Sequence, residues 1–204
     1  MEQKDFQAAL ERHESLIEGI RAAAHDLHAS VNQTYGQGLP YSYHLDMVAD
    51  NTMRYGHLVC AQESDVLPLL FGAYFHDSIE DARFSYNDVL KTAKGYMDEK
   101  QAYMATEIVY ALTNEKGRNR DERAGEKYYA GIRATPYAPF TKMCDRLANI
   151  AFSCSGTDSY NHRMREVYRR EEPHFLAAVD PHSPDIRFQV PQEMVDCMAE
   201  LLAG

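Results

Sequence analysis

The stretch Leu69–Asp81, LLFGAYFHDSIED, changes abruptly from apolar to acidic along its length. Its first half is almost wholly apolar, whereas its second half contains His76, Asp77, Glu80 and Asp81. Burying carboxylates without partners is costly, so a helix that begins buried and ends in these groups predicts a bound cation or an acid–base site. On one helix, His76 and Glu80 would share a face, as would Asp77 and Asp81. A solvated helix end is disfavoured, because acidic groups there oppose the helix dipole.

Hydrophobic periodicity predicts helices along the rest of the chain. Apolar residues recur at helical spacing in most segments, and no segment alternates with period two for long. At 204 residues the chain is most simply one domain, so we predict an all-α fold, a single-domain helical bundle over residues 1–204. Ser85 and Asp88 predict a capped helix start, and Pro173 predicts a kink or a break. The predicted helices cover residues 5–28, 45–59, 69–81, 85–93, 99–112, 126–133, 140–152, 157–179 and 192–202, with loops at 32–40 and 113–123.

Net charge and cysteine spacing limit the kinds of partner and the cellular compartment that we expect for the protein. The formal net charge of -10 argues against nucleic acid or an anionic membrane as the main partner. No apolar run reaches the roughly 18 residues of a transmembrane helix, and the charged N-terminus is not a signal peptide. The four cysteines lack CxxC spacing and indicate reduced thiols. We therefore expect a cytoplasmic protein, and the sequence is compatible with a homo-oligomer.

Two further residues could join the polar end of the central helix as metal ligands. His44 begins a predicted helix just after the turn GLPYSY, and Asp145 lies among apolar residues of another predicted helix. With His76 and Asp77 they make a set of two imidazoles and two carboxylates. Such a mixed set suits a first-row divalent ion such as manganese, iron, cobalt or zinc better than calcium.

The order of these residues resembles that of the HD-domain metal-dependent phosphohydrolases. More narrowly, the sequence is similar to the hydrolase domain of the RelA/SpoT-type alarmone enzymes and their small stand-alone relatives. The resemblance implies a helical bundle whose motif core spans about residues 24–152, with C-terminal helices at 157–202 packing on it. The matching pieces are AH at 24–25, LPYSYH at 39–44, FHDSIED at 75–81, LTNEK at 112–116 and KMCDRLANI at 142–150.

The resemblance also implies a role for each residue of the site. It makes Glu80 and Asp81 the acidic pair that acts on the water activated by the metal. A bound divalent ion lowers the pKa of water, and a nearby carboxylate can accept the proton; a solvated helix end is the alternative for this pair. The implied ligands of one divalent ion, usually Mn²⁺, are His44, His76, Asp77 and Asp145.

Several residues are candidates for contact with the substrate, each with a structural alternative. In similar proteins the residue matching Asn149 faces the nucleotide. Lys142 and Arg146 flank the ligand Asp145 and could bind phosphate or pair with carboxylates, the latter being favoured for Arg146. Tyr41 could pack on a base, although filling the core is favoured. A basic run could hold phosphate oxygens or form a solvated loop; it consists of Lys116, Arg118, Arg120 and Arg123.

The departures from the family pattern bear on the substrate. Alarmone hydrolases commonly carry a basic pair before the Gly-x-Pro-Tyr turn, where guanine is held, but residues 32–43 of this chain contain no Lys or Arg. Leu45 replaces the Pro that usually follows the first ligand. The implied activity is therefore hydrolysis of a phosphate or pyrophosphate ester on a nucleotide, such as a (p)ppGpp-like alarmone, another nucleotide or NADPH. The alternatives are a non-catalytic nucleotide-binding HD module and an HD-type di-iron oxygenase, which would need further ligands from His25, His28 and His57.

Overall fold

A computed structural model describes residues 1–114, 124–180 and 182–204. It is all-α apart from one short hairpin, which confirms the predicted fold class. The hairpin pairs β1 (Thr34–Tyr35) with β2 (Leu39–Pro40). The helices of the described ranges are α1 (Gln3–Arg12), α2 (Glu14–Ser30), α3 (Ser42–Tyr55), α4 (Val66–Phe75), α5 (Tyr86–Ala93), α6 (Glu99–Leu112), α7 (Glu126–Ala134), α8 (Ala138–Ser155), α9 (Ser159–Val179) and α10 (Gln192–Ala203).

Helix α4 is the centre of the bundle. Every one of its residues is buried, as expected for a helix that is apolar on all sides. It packs against α2, α3, α6 and α8, and α3 also packs against α8, so that one hydrophobic cluster runs through the molecule. Within the described ranges, no helix combines the length and the apolar character needed to cross a lipid bilayer.

The predicted helix over residues 69–81 is wrong at its C-terminal end. Helix α4 ends at Phe75, and the chain continues from His76 in turns. The N–H of Asp81 still donates to the carbonyl of Asp77 at 2.8 Å, which preserves one turn. The backbone then reverses at Arg83, whose φ is 63°. The acidic groups therefore follow the buried helix in a compact turn rather than along one helical face.

Of the other predictions about helices, two are confirmed and two are wrong. The helix at 99–112 and the capping box between Ser85 and Asp88 are confirmed. The predicted helix 5–28 is wrong as a single element, because the chain bends at His13 between α1 and α2. The alternative of a break at Pro173 is also wrong, since α9 continues through it. A proline removes only one backbone donor from a helix, and α9 is long enough to retain the others.

The β-hairpin places residues 34–40 against α8. Gly36 and Gly38 have φ values of 56° and 95°, in the left-handed region that favours glycine. A Cβ at Gly36 would lie 2.5 Å from Cζ of Phe152, so the turn needs glycine for space as well. The predicted loop at 32–40 is thus a tight hairpin that presents Tyr35 to the site described below.

Candidate metal centre

Three of the four predicted ligands, His44, His76 and Asp145, form one group where α3, α4 and α8 meet. The fourth, Asp77, lies outside that group but close to both imidazoles. The Nε2 atoms of His44 and His76 are 3.2 Å apart. Oδ1 of Asp145 lies 3.4 Å from Nε2 of His44 and 3.9 Å from Nε2 of His76. Oδ2 of Asp77 lies 2.9 Å from Nε2 of His76 and 3.8 Å from Nε2 of His44. Residues far apart in sequence thus bring nitrogen and oxygen atoms to one point.

These spacings fit a first-row divalent ion. Ligand atoms about 2.1 Å from a tetrahedral ion are about 3.4 Å from one another, which is close to the distances above. His76 donates from Nδ1 to the carbonyl of Ala73 at 2.8 Å, and this bond leaves the Nε2 lone pair facing the cluster. The buried group of His44, His76 and Asp145 can therefore hold a metal ion.

The electrostatics of the cluster favour a positive charge at its centre. Burial lowers the pKa of His76, but the carboxylates of Asp77 and Asp145 outweigh burial and raise this pKa to about 9. Burial opposes ionisation of Asp145, yet Lys142 and the imidazoles hold its pKa well below the usual value. The buried Asp145 and the half-buried Asp77 face two imidazoles. These carboxylates need a cation, which a proton on His76 or a metal ion can supply.

Both oxygens of Asp145 have donors on α8. Nζ of Lys142 lies 2.9 Å from Oδ2. Nδ2 of Asn149 donates to Oδ1 at 2.5 Å and to the backbone carbonyl of Asp145 at 3.0 Å. The carboxylate is thus fixed with Oδ1 towards the imidazoles. In this arrangement Lys142 and Asn149, both candidates for substrate contact, hold Asp145.

Asp77 is held by Tyr41, the residue between the hairpin and α3. Tyr41 donates its hydroxyl hydrogen to Oδ2 of Asp77. The Tyr41 ring is buried and stacks on His28 at a centroid distance of 4.7 Å. Neither ring nitrogen of His28 has a hydrogen-bond partner among the described residues, and burial lowers its pKa to about 4. Tyr41 therefore packs in the core and also reaches the cluster.

The acidic pair lies beside the ligands, with different surroundings for its two members. Glu80 is exposed and accepts hydrogen bonds from Nδ2 of Asn114 at 2.9 Å to both carboxylate oxygens. Asp81 is half-buried, and burial together with the charge of Asp77 raises its pKa to about 6. Asn114 lies within the matched stretch LTNEK, but its contact with Glu80 depends on tertiary structure and could not be predicted from the sequence.

A cavity of about 620 Å³ opens over the cluster, within the size range of small-molecule sites. His44, Asp77 and Asp145 lie on its floor, and Glu80 and Asp81 lie in its wall. Helices α7 and α9 complete the wall with residues outside the matched motifs, among them Tyr128, Tyr168, Glu171 and His174.

Arg146 lines the cavity and contacts side chains of α9. Its Nη1 lies 2.9 Å from Oε2 of Glu171. Its guanidinium carbon lies 4.3 Å from the ring centroid of Phe175 and 5.2 Å from that of Tyr168. The contacts match the carboxylate pairing that the sequence favoured for Arg146. Sequence reasoning missed the partners on α9, because their contact with Arg146 depends on the packing of α9 against α8.

Other candidates lie away from the cluster or outside the described residues. Nε2 of His25 lies 2.9 Å from Oδ1 of Asp46, and one metal-binding group is found in the described ranges, without His25, His28 or His57. The predicted basic run, with Lys116 as its first member, falls on residues 115–123, outside the described residues.

Comparisons with known proteins leave the chain without an assigned family. No family model matches it, and no curated protein matches it significantly.

Proposed function

We propose that the chain is a metal-dependent phosphohydrolase of the HD type that acts on a phosphate or pyrophosphate ester of a nucleotide. The observation that carries the proposal is the grouping of His44, His76 and Asp145 beside a cavity, with Asp77 next to both imidazoles. This ligand set occurs in the order that the sequence motifs imply. One first-row divalent ion fits the mixture of imidazole and carboxylate ligands, and the resemblance to the alarmone hydrolases makes Mn²⁺ the ion that we propose.

When bound, the ion supplies a water of lowered pKa and neutralises part of the phosphate charge. Glu80 and Asp81 border the cavity beside the ligands and are placed to take the proton from that water or to return it to the leaving group. Asn114 holds the Glu80 carboxylate by its side-chain amide. Tyr41 holds Asp77, and Lys142 with Asn149 holds Asp145, so the protein groups are positioned before substrate arrives.

The charges of the cavity favour a substrate whose phosphate sits at the metal. Lys142 pairs with Asp145 and Arg146 pairs with Glu171, so these cations are already partly neutralised by carboxylates. A phosphate group therefore gains most from the divalent ion. The tyrosines of α7 and α9 also line the cavity, where they can contact the base or sugar.

We expect the base to be held less specifically than in the alarmone hydrolases. The segment that carries their basic pair is here the β-hairpin, and its Tyr35 packs on His44. Loss of a bidentate or stacked Arg contact relaxes discrimination by roughly 1–3 kcal/mol, by analogy with base readout in nucleic-acid recognition.

The test is a substrate screen of the purified protein with added Mn²⁺, reading released phosphate or pyrophosphate. The panel contains guanine and adenine nucleotides carrying a 3′-pyrophosphate, a 3′-phosphate or a 2′-phosphate, and NADPH. The matched control is Asp145→Ala, which removes a ligand and should remove all release. We expect Mn²⁺-dependent release from several of these nucleotides.

Three outcomes would contradict parts of the proposal. A preference for the guanine 3′-pyrophosphate on the order of a thousandfold, about 4 kcal/mol, would contradict the relaxed base selection and indicate an alarmone hydrolase. No release from any nucleotide, with Mn²⁺ demonstrably bound, would contradict the enzyme and favour the nucleotide-binding module. Two ions per chain would favour the oxygenase.

A further inference from the structure

Tyr35 contacts one ligand of the proposed metal centre directly and a second through Asn149, although it lies outside the matched motifs. Its ring stacks on His44 with a centroid distance of 4.7 Å and an interplanar angle of 19°. Its hydroxyl donates to Oδ1 of Asn149 at 2.9 Å. Asn149 in turn donates from Nδ2 to Oδ1 of Asp145 at 2.5 Å. One tyrosine thus connects the ligand of α3 with the ligand of α8.

We propose that Tyr35 is a positioning residue of the metal centre, whose ring packs against His44 and whose hydroxyl orients Asp145 through Asn149. The inference rests on the proposed metal site. Partners of metal ligands fix ligand orientation, and their loss typically costs 10–100-fold in metal affinity or activity.

The donor and the acceptor of each hydrogen bond support this connection from Tyr35 to Asp145. Asn149 uses its amide hydrogens on Asp145, both at the side chain and at the backbone carbonyl, so its own oxygen faces the hydroxyl of Tyr35. The oxygen of Asp145 that receives this amide is the one 3.4 Å from Nε2 of His44. The series of hydrogen bonds from Tyr35 therefore ends on the oxygen of Asp145 that would bind the ion, whereas Lys142 holds the other oxygen.

The β-hairpin keeps Tyr35 in place. Phe152 packs on the Tyr35 ring at a centroid distance of 4.7 Å, and Gly36 lies so close to Phe152 that a Cβ would clash. The neighbouring Tyr43 also packs on Phe152, at 6.1 Å, but its side chain is 45% exposed. Tyr43 therefore provides a matched control of the same residue type near the same site.

The experiment titrates metal-stripped protein with Mn²⁺ by calorimetry. Tyr35→Phe keeps the ring on His44 and removes only the hydroxyl, so we expect the dissociation constant for Mn²⁺ to rise about tenfold, the lower end of the range for outer partners. Tyr43→Phe should leave it unchanged. Bound Mn²⁺ should also give an altered electron paramagnetic resonance spectrum in Tyr35→Phe, which a change in stability alone would not produce.

A double-mutant cycle tests whether the hydroxyl acts through Asn149. Tyr35→Phe should have no further effect on Mn²⁺ affinity in an Asn149→Ala background, because the connection is already broken. A rise of less than about threefold for Tyr35→Phe, well below the usual range, would overturn the positioning role. An equal rise of the Mn²⁺ dissociation constant on Tyr35→Phe in wild type and in Asn149→Ala would overturn it as well. Wild-type protein that binds no Mn²⁺ would overturn the metal site itself, and this role with it.

Discussion

Nζ of Lys142 lies 2.9 Å from Oδ2 of Asp145, on the side of the carboxylate away from the two imidazoles. Both side chains are largely buried, with 17% and 12% of their surface exposed. The attraction of Asp145 raises the pKa of Lys142 despite the opposing effect of burial. Lys142 is therefore a permanent cation beside the proposed metal.

Replacing Lys142 should destabilise the metal-free protein strongly. Removing one partner of a buried ion pair costs about 3–5 kcal/mol, because the other charge remains buried. We expect Lys142→Met to lower the free energy of unfolding by about 3 kcal/mol in the presence of a chelator, and Mn²⁺ to recover part of the loss. Urea denaturation with and without Mn²⁺ measures both effects.

The exposed pair of Lys94 and Glu99, 2.7 Å apart, is the control for Lys142. Lys94→Met should change the free energy of unfolding little, since surface ion pairs contribute little. Equal effects of Lys94→Met and Lys142→Met would show that Lys142 does not support Asp145 in the folded state.

Asp145→Ala should abolish metal binding and activity together. The substitution removes a ligand oxygen from the centre of the cluster, and metal affinity depends on a complete set of deprotonated ligands. Wild-type protein should bind one Mn²⁺ per chain and gain thermal stability from it, whereas the variant should show neither. The exposed Asp26→Ala should behave as wild type. Retention of stoichiometric Mn²⁺ by Asp145→Ala would contradict the ligand assignment.

Glu80→Gln should separate metal binding from turnover. Glu80 is held by Asn114 and is not in the ligand cluster, so the variant should bind Mn²⁺ as wild type does. Loss of a general acid–base group typically lowers the rate about 10²–10⁴-fold, and we expect kcat to fall by this amount on the best substrate of the panel. Asn114→Ala should lower kcat less, because Glu80 keeps its carboxylate. A Glu80→Gln variant with near wild-type turnover would leave proton transfer to Asp81 alone.

The sequence predicts the fold class and most helices because burial repeats with the helical period. The apolar stretch of α4 and the clear run at 99–112 are the best examples. The helical pattern also marks Asp145 as unusual, since a carboxylate among the apolar residues of a helix needs a partner. Local pattern therefore predicts most of the helices and marks single polar residues, whereas the assignment of four ligands to one ion came from the resemblance to the HD family.

The rest depends on contacts between elements that no local pattern reports. Strands of two residues cannot show alternation, so the hairpin and the place of Tyr35 are invisible in the sequence. Helix α4 ends at Phe75 although residues 76–83 contain no glycine or proline, so the sequence carries no helix-breaking signal at that point. Likewise, the pairing of Arg146 with Glu171 requires α9 to pack on α8.

His28 predicts a pH dependence of stability on the acid side. Burial lowers its pKa to about 4 from an ordinary value of 6.5, although the nearby charge of Asp77 opposes the shift. Above pH 6.5 the residue is neutral in both states, so its favourable packing is fully present. As the pH falls from 6.5 towards 4, the unfolded chain binds the proton first, and the free energy of unfolding decreases by up to about 3 kcal/mol.

His28→Phe should remove this loss while keeping a ring on Tyr41. We expect the difference in free energy of unfolding between wild type and variant to change by about 2–3 kcal/mol between pH 7 and pH 4, in favour of the variant as the pH falls. Urea denaturation at several pH values measures it in metal-free protein, and groups titrating elsewhere cancel in the difference. His162 is exposed, so His162→Phe is the control: its free energy of unfolding should change with pH in parallel with that of wild type. A His28→Phe curve that also runs parallel to wild type would mean that His28 takes up its proton in the folded protein at an ordinary pH.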